Sequence, residues 1–379
     1  MINIDRCIGI INNFVKRFQR NDSAKVTKPL PVEIRLAILS NGGGYTVPQA
    51  IKTIEKETKT KIKHINYESP FDNLALSKEV EMIIAHIVKH NLQDKYLSRA
   101  DAFISLVKED KVQFVNDKNE PVKKLSLAVI NRISEEAKEL DGIFLPGGID
   151  IPSIWYGSDS VCKDIYRSLV EFTLISEARK RGIPLMGVCR GLQIVSVFNG
   201  AILEERIPNQ FGNQRYKLLE DGKKGLLTKL FQEGLVGLVL HHQGVHAEGM
   251  RGDLEPLAVY DVVVKAAESK YSASSPVILT QFHPEFYGTE PQGQFDPEDP
   301  NARITAGNGE FYKIFRQGAI ARGVKRLYIT PEILADAYKK LNPVGYIGSF
   351  RWKLNRKAVM LSRRIDAWCQ VHIFGKKAK

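Results

Sequence analysis

The stretch Ile183-Pro-Leu-Met-Gly-Val-Cys-Arg-Gly-Leu-Gln193 runs as apolar residues into Gly187-Val188-Cys189-Arg190-Gly191 and then takes up a helical pattern. A strand that turns directly into a helix around one reactive side chain is a nucleophile elbow, and it constrains the fold severely. The turn is strained and closely packed, so its flanking positions must be small, and Gly187 and Gly191 meet that demand. The helix expected over Gly191 to Asn199 points its N-terminus at the sulfur. Its unpaired N–H groups and dipole favour thiolate over thiol, and the N–H of Arg190 is placed to receive negative charge developing on a substrate oxygen.

A second strand-like run, Val277-Ile-Leu-Thr-Gln-Phe-His-Pro-Glu285, carries His283 some 94 residues beyond Cys189. Read as an extended segment, it sends His283 and Glu285 out on one face, with Pro284 stiffening the strand end. A carboxylate beside an imidazole fixes its tautomer and stabilises the imidazolium, as a thiol nucleophile requires of its base. A third apolar run, Leu140-Asp-Gly-Ile-Phe-Leu-Pro-Gly-Gly148, ends in a glycine turn. There Gly147 and Gly148 can aim a backbone N–H at an acyl oxygen. Each piece alone has a commonplace reading; three strand ends in this order converge on one acyl-transfer site.

These motifs resemble those of the class I glutamine amidotransferase-like superfamily over roughly residues 33 to 325. Gly-Val-Cys-Arg-Gly-Leu-Gln at 187–193 is similar to the elbow of its γ-glutamyl hydrolase branch, the γ-glutamyl-γ-aminobutyrate hydrolases in particular. Pro146-Gly-Gly-Ile-Asp-Ile151, Trp155-Tyr-Gly157 and His241-His-Gln-Gly-Val245 agree with it. The resemblance implies Cys189 as nucleophile, His283 as base, Glu285 as orienting acid, and Gly148 and Arg190 as donors to an oxyanion hole. Gly147, Gln193, His242 and Gln243 are implied to lie beside the substrate, with His242 or Gln243 on its α-amino or carboxylate group. The implied activity is hydrolysis of a γ-glutamyl amide or peptide bond through a thioester, with no cofactor. The rivals are a glutaminase subunit that sends ammonia to a separate synthetase, and a binding or regulatory protein on the same scaffold.

The expected fold is α/β, with a central, mostly parallel sheet flanked by helices and the site at the strand C-termini. The chain has 379 residues, 43% of them hydrophobic, enough to bury a substantial core. Four cysteines at wide spacing, one of them assigned as a thiolate, predict a reducing, cytoplasmic setting. No run approaches the eighteen or so apolar residues of a membrane span, and no secretory signal is visible. His241, His242 and His246 invite a metal, but Gly244 argues against a helix aligning them and no acidic residue adjoins; no metal site is assigned.

The net charge of +12 points superficially to nucleic acid. Residues 1–30 contribute +4 and residues 328–379 contribute +8, so the body between them is neutral. Three regions follow. Residues 1–30 form an amphipathic helix (Ile4, Ile8, Ile11, Val15, Phe18) and a linker. Residues 31–327 form the catalytic domain, with an insertion at about 68–126. Residues 328–379 form a basic extension whose seam of Leu354, Ala358, Leu361, Ile365 and Trp368 has helical spacing. Packing of that seam on the body or on a second subunit is the expectation; contact with nucleic acid or an anionic membrane is the lesser one. Within the domain, strands are predicted at Ile34–Leu39 and Lys61–Tyr67 and helices at Val47–Lys56, Leu76–Lys89 and Glu310–Arg322. Pro208 to Lys224 reads as a mobile stretch, and Phe286 to Gly309 as a long loop of lid type.

Overall fold

A computed structural model describes residues 36–40, 62–66, 69–109, 112–115, 121–157, 164–219, 227, 235–270, 275–286 and 308–328. The N-terminal helix and linker, the helix at 47–56, most of the proposed lid and the basic extension lie outside these residues. Contacts divide the chain into two compact units, residues 34–319 and residues 1–33 with 320–379. The site lies in the first.

An eight-stranded sheet forms its centre, in the order β2-β1-β3-β4-β10-β9-β8-β6. Strands β1 (Leu36–Ser40), β2 (Ile62–Asn66), β3 (Gly142–Leu145), β4 (Leu185–Val188) and β10 (Val277–Thr280) run parallel. Strands β6 (Lys217–Leu218), β8 (Leu254–Tyr260) and β9 (Val263–Ser269) complete it as antiparallel neighbours. β3 and β4 are buried at every position, the unbroken apolar pattern of a parallel strand covered on both faces. A separate antiparallel pair joins β5 (Phe211–Arg215) to β7 (Val236–Leu240). The stretch read as mobile is therefore strand at 211–215, and the reason is visible in its burial. Asn213 and Gln214 are buried polar residues where an inward-facing strand ordinarily carries apolar ones, so the alternation that marks a strand is missing.

Helix α1 (Asn73–Lys89) buries Leu76, Val80, Ile83, Ile84 and Ile87 along one stripe, and Asp72 Oδ1 caps it by accepting the N–H of Leu74 at 2.9 Å. Each such aliphatic side chain contributes roughly 1.5–3 kcal/mol through burial. With α2 (Arg99–Glu109) and α3 (Lys124–Ala137), α1 packs on α4 (Ile165–Arg181), which also touches α5 (Arg190–Phe198) and β3. Sandwiched in this way, α4 is buried at every residue from Ile165 to Ala178, including Arg167, Glu171 and Glu177. Helix α6 (Asn308–Tyr328) begins two residues before the predicted start and buries Phe311, Tyr312, Phe315 and Ala319.

Among the described residues, no helix is long and apolar enough to cross a membrane.

Candidate active site

Strand β4 lies between β3 and β10, so the segments that follow these three strands emerge side by side at one edge. They are Pro146-Gly-Gly148, the elbow at Cys189, and the turn holding His283. Cys189 adopts φ 52° and ψ −105°, a backbone geometry that costs a non-glycine residue about 1–3 kcal/mol. Several contacts hold it there. Its N–H donates to Thr280 O at 2.7 Å, and its own carbonyl accepts the N–H groups of Leu192 and Gln193 at 3.0 and 3.2 Å, opening α5. A Cβ on Gly187 would lie 2.6 Å from the Gly191 carbonyl oxygen, and one on Gly191 would run into the Leu145 carbonyl. The glycines that flank the cysteine are thus required by close approach of backbone to backbone.

His283 reaches the cysteine by a route that the extended reading missed. β10 ends at Thr280, and Pro284–Phe286 forms a 3₁₀ turn. The proline begins that turn, where its fixed φ is helical and no N–H is needed, so it redirects the chain instead of prolonging the strand. The His283 N–H donates to Leu238 O at 2.9 Å, tying the turn to β7. The imidazole Nδ1 lies 2.8 Å from Glu285 Oε1, with both side chains almost fully buried. The second carboxylate oxygen accepts the Tyr312 hydroxyl of α6 at 3.5 Å. Burial pushes the His283 pKa down, but the charges of Glu285 and Cys189 and hydrogen bonds to both outweigh it and hold the imidazolium to about 10. A Cβ on Gly147 would sit 2.9 Å from His283 Cε1 and 3.5 Å from Cys189 Cβ, so this glycine lines the gap between them.

Gly148 is placed by a buried ion network. A side chain there would strike the guanidinium of Arg167, whose Nη2 donates to the carbonyls of Pro146 at 3.1 Å and Gly147 at 3.0 Å. Arg167 Nε bonds Glu171 Oε1 at 3.0 Å, and Glu171 Oε2 pairs with Arg190 Nη1. Arg190 in turn donates from Nε to Ile149 O at 2.9 Å and from Nη2 to Ser168 Oγ at 3.0 Å. Two arginines bridged by one carboxylate therefore hold the loop over the cysteine.

The remaining expected site residues divide in two. Gln243 is buried; its Oε1 accepts the Ile151 N–H at 2.9 Å, and its Nε2 donates to Ile151 O and the Tyr156 hydroxyl at 3.3 and 3.2 Å. Gln193, also buried, donates from Nε2 to Gln243 O at 2.6 Å. Both amides brace the loops, as does Trp155, edge-on to Phe103 and Phe172 at 5.3 and 4.9 Å. His242 is exposed and pairs through Nε2 with Asp150 Oδ2 at 2.7 Å. The three histidines of this stretch face three different partners: Lys265 for His241, Asp150 for His242, and Glu204 for His246. Arg167, Glu171, Lys265 and Tyr312 were missed from sequence. The only signal for the first two was an i,i+4 opposite-charge pair within a helix.

A strained cysteine between a buried imidazole–carboxylate pair and a glycine loop, on a mostly parallel sheet, defines a glutamine amidotransferase-like α/β protein. The chain belongs to the Peptidase C26 family, whose profile matches residues 90–285. It is 28% identical over 161 residues to a Schizosaccharomyces pombe protein named as a candidate glutamine amidotransferase, covering 38% of this chain and 62% of that one. It is 29% identical over 188 residues to the γ-glutamyl-γ-aminobutyrate hydrolase of Escherichia coli K12, covering 44% of this chain and 72% of the enzyme. A similar protein from Mycobacterium tuberculosis, also named as a candidate glutamine amidotransferase, is 26% identical, and the match spans about half (51%) of its length. A solved glutamine amidotransferase from Thermotoga maritima superposes with a TM-score of 0.37 at 13% identity, over 90% of this chain and 96% of that one.

Proposed function

We propose that the protein is a cysteine-dependent hydrolase that cleaves a γ-glutamyl amide or peptide bond. One observation carries the reading: Cys189 sits in a strained elbow at the start of a helix, against the buried His283–Glu285 pair. The Cys189 sulfur attacks the γ-carbonyl, and the developing oxyanion is received by the N–H groups of Gly148 and Arg190. His283, already an imidazolium at neutral pH, gives its proton to the amine as the C–N bond breaks. Water then attacks the thioester and returns a proton to His283, and the γ-carboxylate of glutamate is released with the thiolate restored. Glu285 orients the ring throughout.

The γ-glutamyl half is supported by the similarity to the γ-glutamyl-γ-aminobutyrate hydrolase, and the amine half is open. With the Gln243 amide bound to Ile151 and Tyr156, the exposed His242, which pairs with Asp150, is the one of the two that we assign to the substrate's α-amino or carboxylate group. The test is hydrolysis of a panel of γ-glutamyl amides and peptides, glutamine included, with mass spectrometry of the enzyme after rapid quench. A γ-glutamyl adduct on the Cys189 peptide supports the reading. Turnover of glutamine alone, and only with a second protein added, would favour ammonia delivery to a synthetase; no turnover of any γ-glutamyl compound would leave a binding role.

A further inference from the structure

Lysine is almost never fully buried without an acidic partner, because an ammonium taken out of water without one is costly. Lys265, in the middle of β9, has no exposed surface. Its Nζ donates to Gln210 Oε1 and to His241 Nε2, the latter at 3.0 Å. Both acceptors are neutral. His241 Nδ1 lies 2.8 Å from the Gln243 carbonyl, so that nitrogen carries the proton and Nε2 is the acceptor. Burial, and then the adjacent Lys265, keep the His241 ring uncharged, with a pKa near about 2. Among the described residues, the partners of Lys265 therefore do not cancel its charge.

The sheet register shows what it faces. On one side of the β10 end, Cys189 N–H donates to Thr280 O at 2.7 Å; on the other, Gln281 N–H donates to Lys265 O at 2.9 Å. Cys189 and Lys265 are thus the two flanking neighbours of Thr280-Gln281, about 10 Å apart from backbone to backbone at the usual strand spacing, within which a lysine side chain brings its charge close to the sulfur. Groups around the pair are Cys189 from the elbow, His241 and His242 from the end of β7, and His283 with Glu285 from the turn after β10. From β8, the residues paired alongside are Pro256, Ala258 and Val259, none of them charged.

We propose that Lys265 is a positioning residue for Cys189, a buried cation anchored by His241 and Gln210 that stabilises the sulfur anion. Among the described residues, the carboxylate beside the cysteine, Glu285, is engaged with His283 and Tyr312, so the natural counter-charge for Lys265 is the thiolate. Burial lowers the lysine pKa to about 7 against the pull of Cys189, so this support is present in acid and is lost as pH rises through neutrality. An ordinary surface lysine keeps its proton to about 10, so the direction is the same and only the window is moved down to neutrality.

The inference rests on Cys189 being the nucleophile, and the experiment separates the two. Alkylation by iodoacetamide is followed peptide by peptide from pH 5 to 9 in the wild type, Lys265→Met and Lys265→Arg, with thermal melting as a control. If Cys189 in the wild type labels no faster than Cys7, Cys162 and Cys369, the nucleophile reading fails. If it labels faster, Lys265→Met is expected to slow Cys189 by about tenfold at pH 6, equivalent to one pH unit, with the gap closing above pH 8. Lys265→Arg, which cannot lose its proton, is expected to keep fast labelling at pH 6. An equal loss at every pH, or none, in Lys265→Met would overturn the proposal. If Lys265→Met does not fold, Lys265→Arg decides alone: a pH profile unlike the wild type above pH 7 supports the lysine, and an identical one overturns it.

Discussion

Glu171 and Arg190 meet as a fully buried ion pair, one from the middle of α4 and the other from the first turn of α5. The same carboxylate binds Arg167, and the two guanidiniums reach the carbonyls of Pro146, Gly147 and Ile149. The loop that would form part of an oxyanion hole is thus fixed by arginines of α4 and α5. Removing Glu171 takes away the carboxylate that these two buried guanidiniums share. Glu171→Ala should lower stability by about 3–5 kcal/mol in urea denaturation, and Glu171→Gln by less. A loss under 1 kcal/mol for Glu171→Ala would mean that the arginines find other partners.

For the nucleophile, Cys189→Ala should reduce turnover by at least about 10³-fold while leaving the far-ultraviolet spectrum and melting temperature near those of the wild type. Alanine substitution of Cys7, Cys162 or Cys369 should leave activity unchanged. Retained turnover in Cys189→Ala would remove the thioester from the mechanism.

His283→Ala should lose as much activity as Cys189→Ala, whereas Glu285→Gln should lose less, since the carboxylate orients the ring and stabilises its charge but does not carry the proton. Tyr312→Phe removes a hydroxyl 3.5 Å from Glu285 Oε2 and should cost under about tenfold in kcat/KM. Full activity in Glu285→Gln would reduce the triad to a dyad.

The raised His283 pKa carries a stability signature. A histidine near 6.5 in the unfolded chain and at about 10 in the folded one adds stability that is complete below pH 6.5 and fades as pH climbs towards 10. Melting temperature should therefore fall across that window in the wild type and fall less in Glu285→Gln, where the main charge supporting the imidazolium is gone. Equal slopes for the two proteins in differential scanning calorimetry would contradict the assignment.

At the elbow, Gly191→Ala would push a methyl group into the Leu145 carbonyl. Neither side can yield, because the contact is backbone to backbone between α5 and β3. The variant should be destabilised by at least about 1–3 kcal/mol and lose activity with it. A crystal structure of a stable, active Gly191→Ala would show that the elbow can open.

What could be read from sequence was what is encoded locally. Gly187 and Gly191 flank Cys189 within five residues, and Pro-Gly-Gly follows an apolar run, so the elbow, the glycine loop and the parallel sheet could be seen without a structure. The relation of His283 to Glu285 was recognised as a pair but given the wrong backbone, since Pro284 can end a strand or begin a 3₁₀ turn and only the Leu238 contact decides. Lys265 was invisible because one lysine in an apolar strand reads as an edge or a surface face; its burial depends on Gln210 and His241, brought in from loops far along the chain. Arg167 and Glu171 look like the polar face of an amphipathic helix, and the glycine loop and Arg190, which they contact, come from elsewhere in the chain.

The placement of Cys189 on a strand between β3 and β10 has a bearing on synthesis. The cysteine, its elbow and the loop above it are all complete once about half the chain has left the ribosome, but the imidazole arrives with the last strand of the sheet. Until β10 docks beside β4, the Thr280 carbonyl that takes the Cys189 N–H is missing and no histidine stands against the sulfur. A growing or truncated chain therefore holds Cys189 without His283 beside it, and the site assembles only when β10 takes its place against β4.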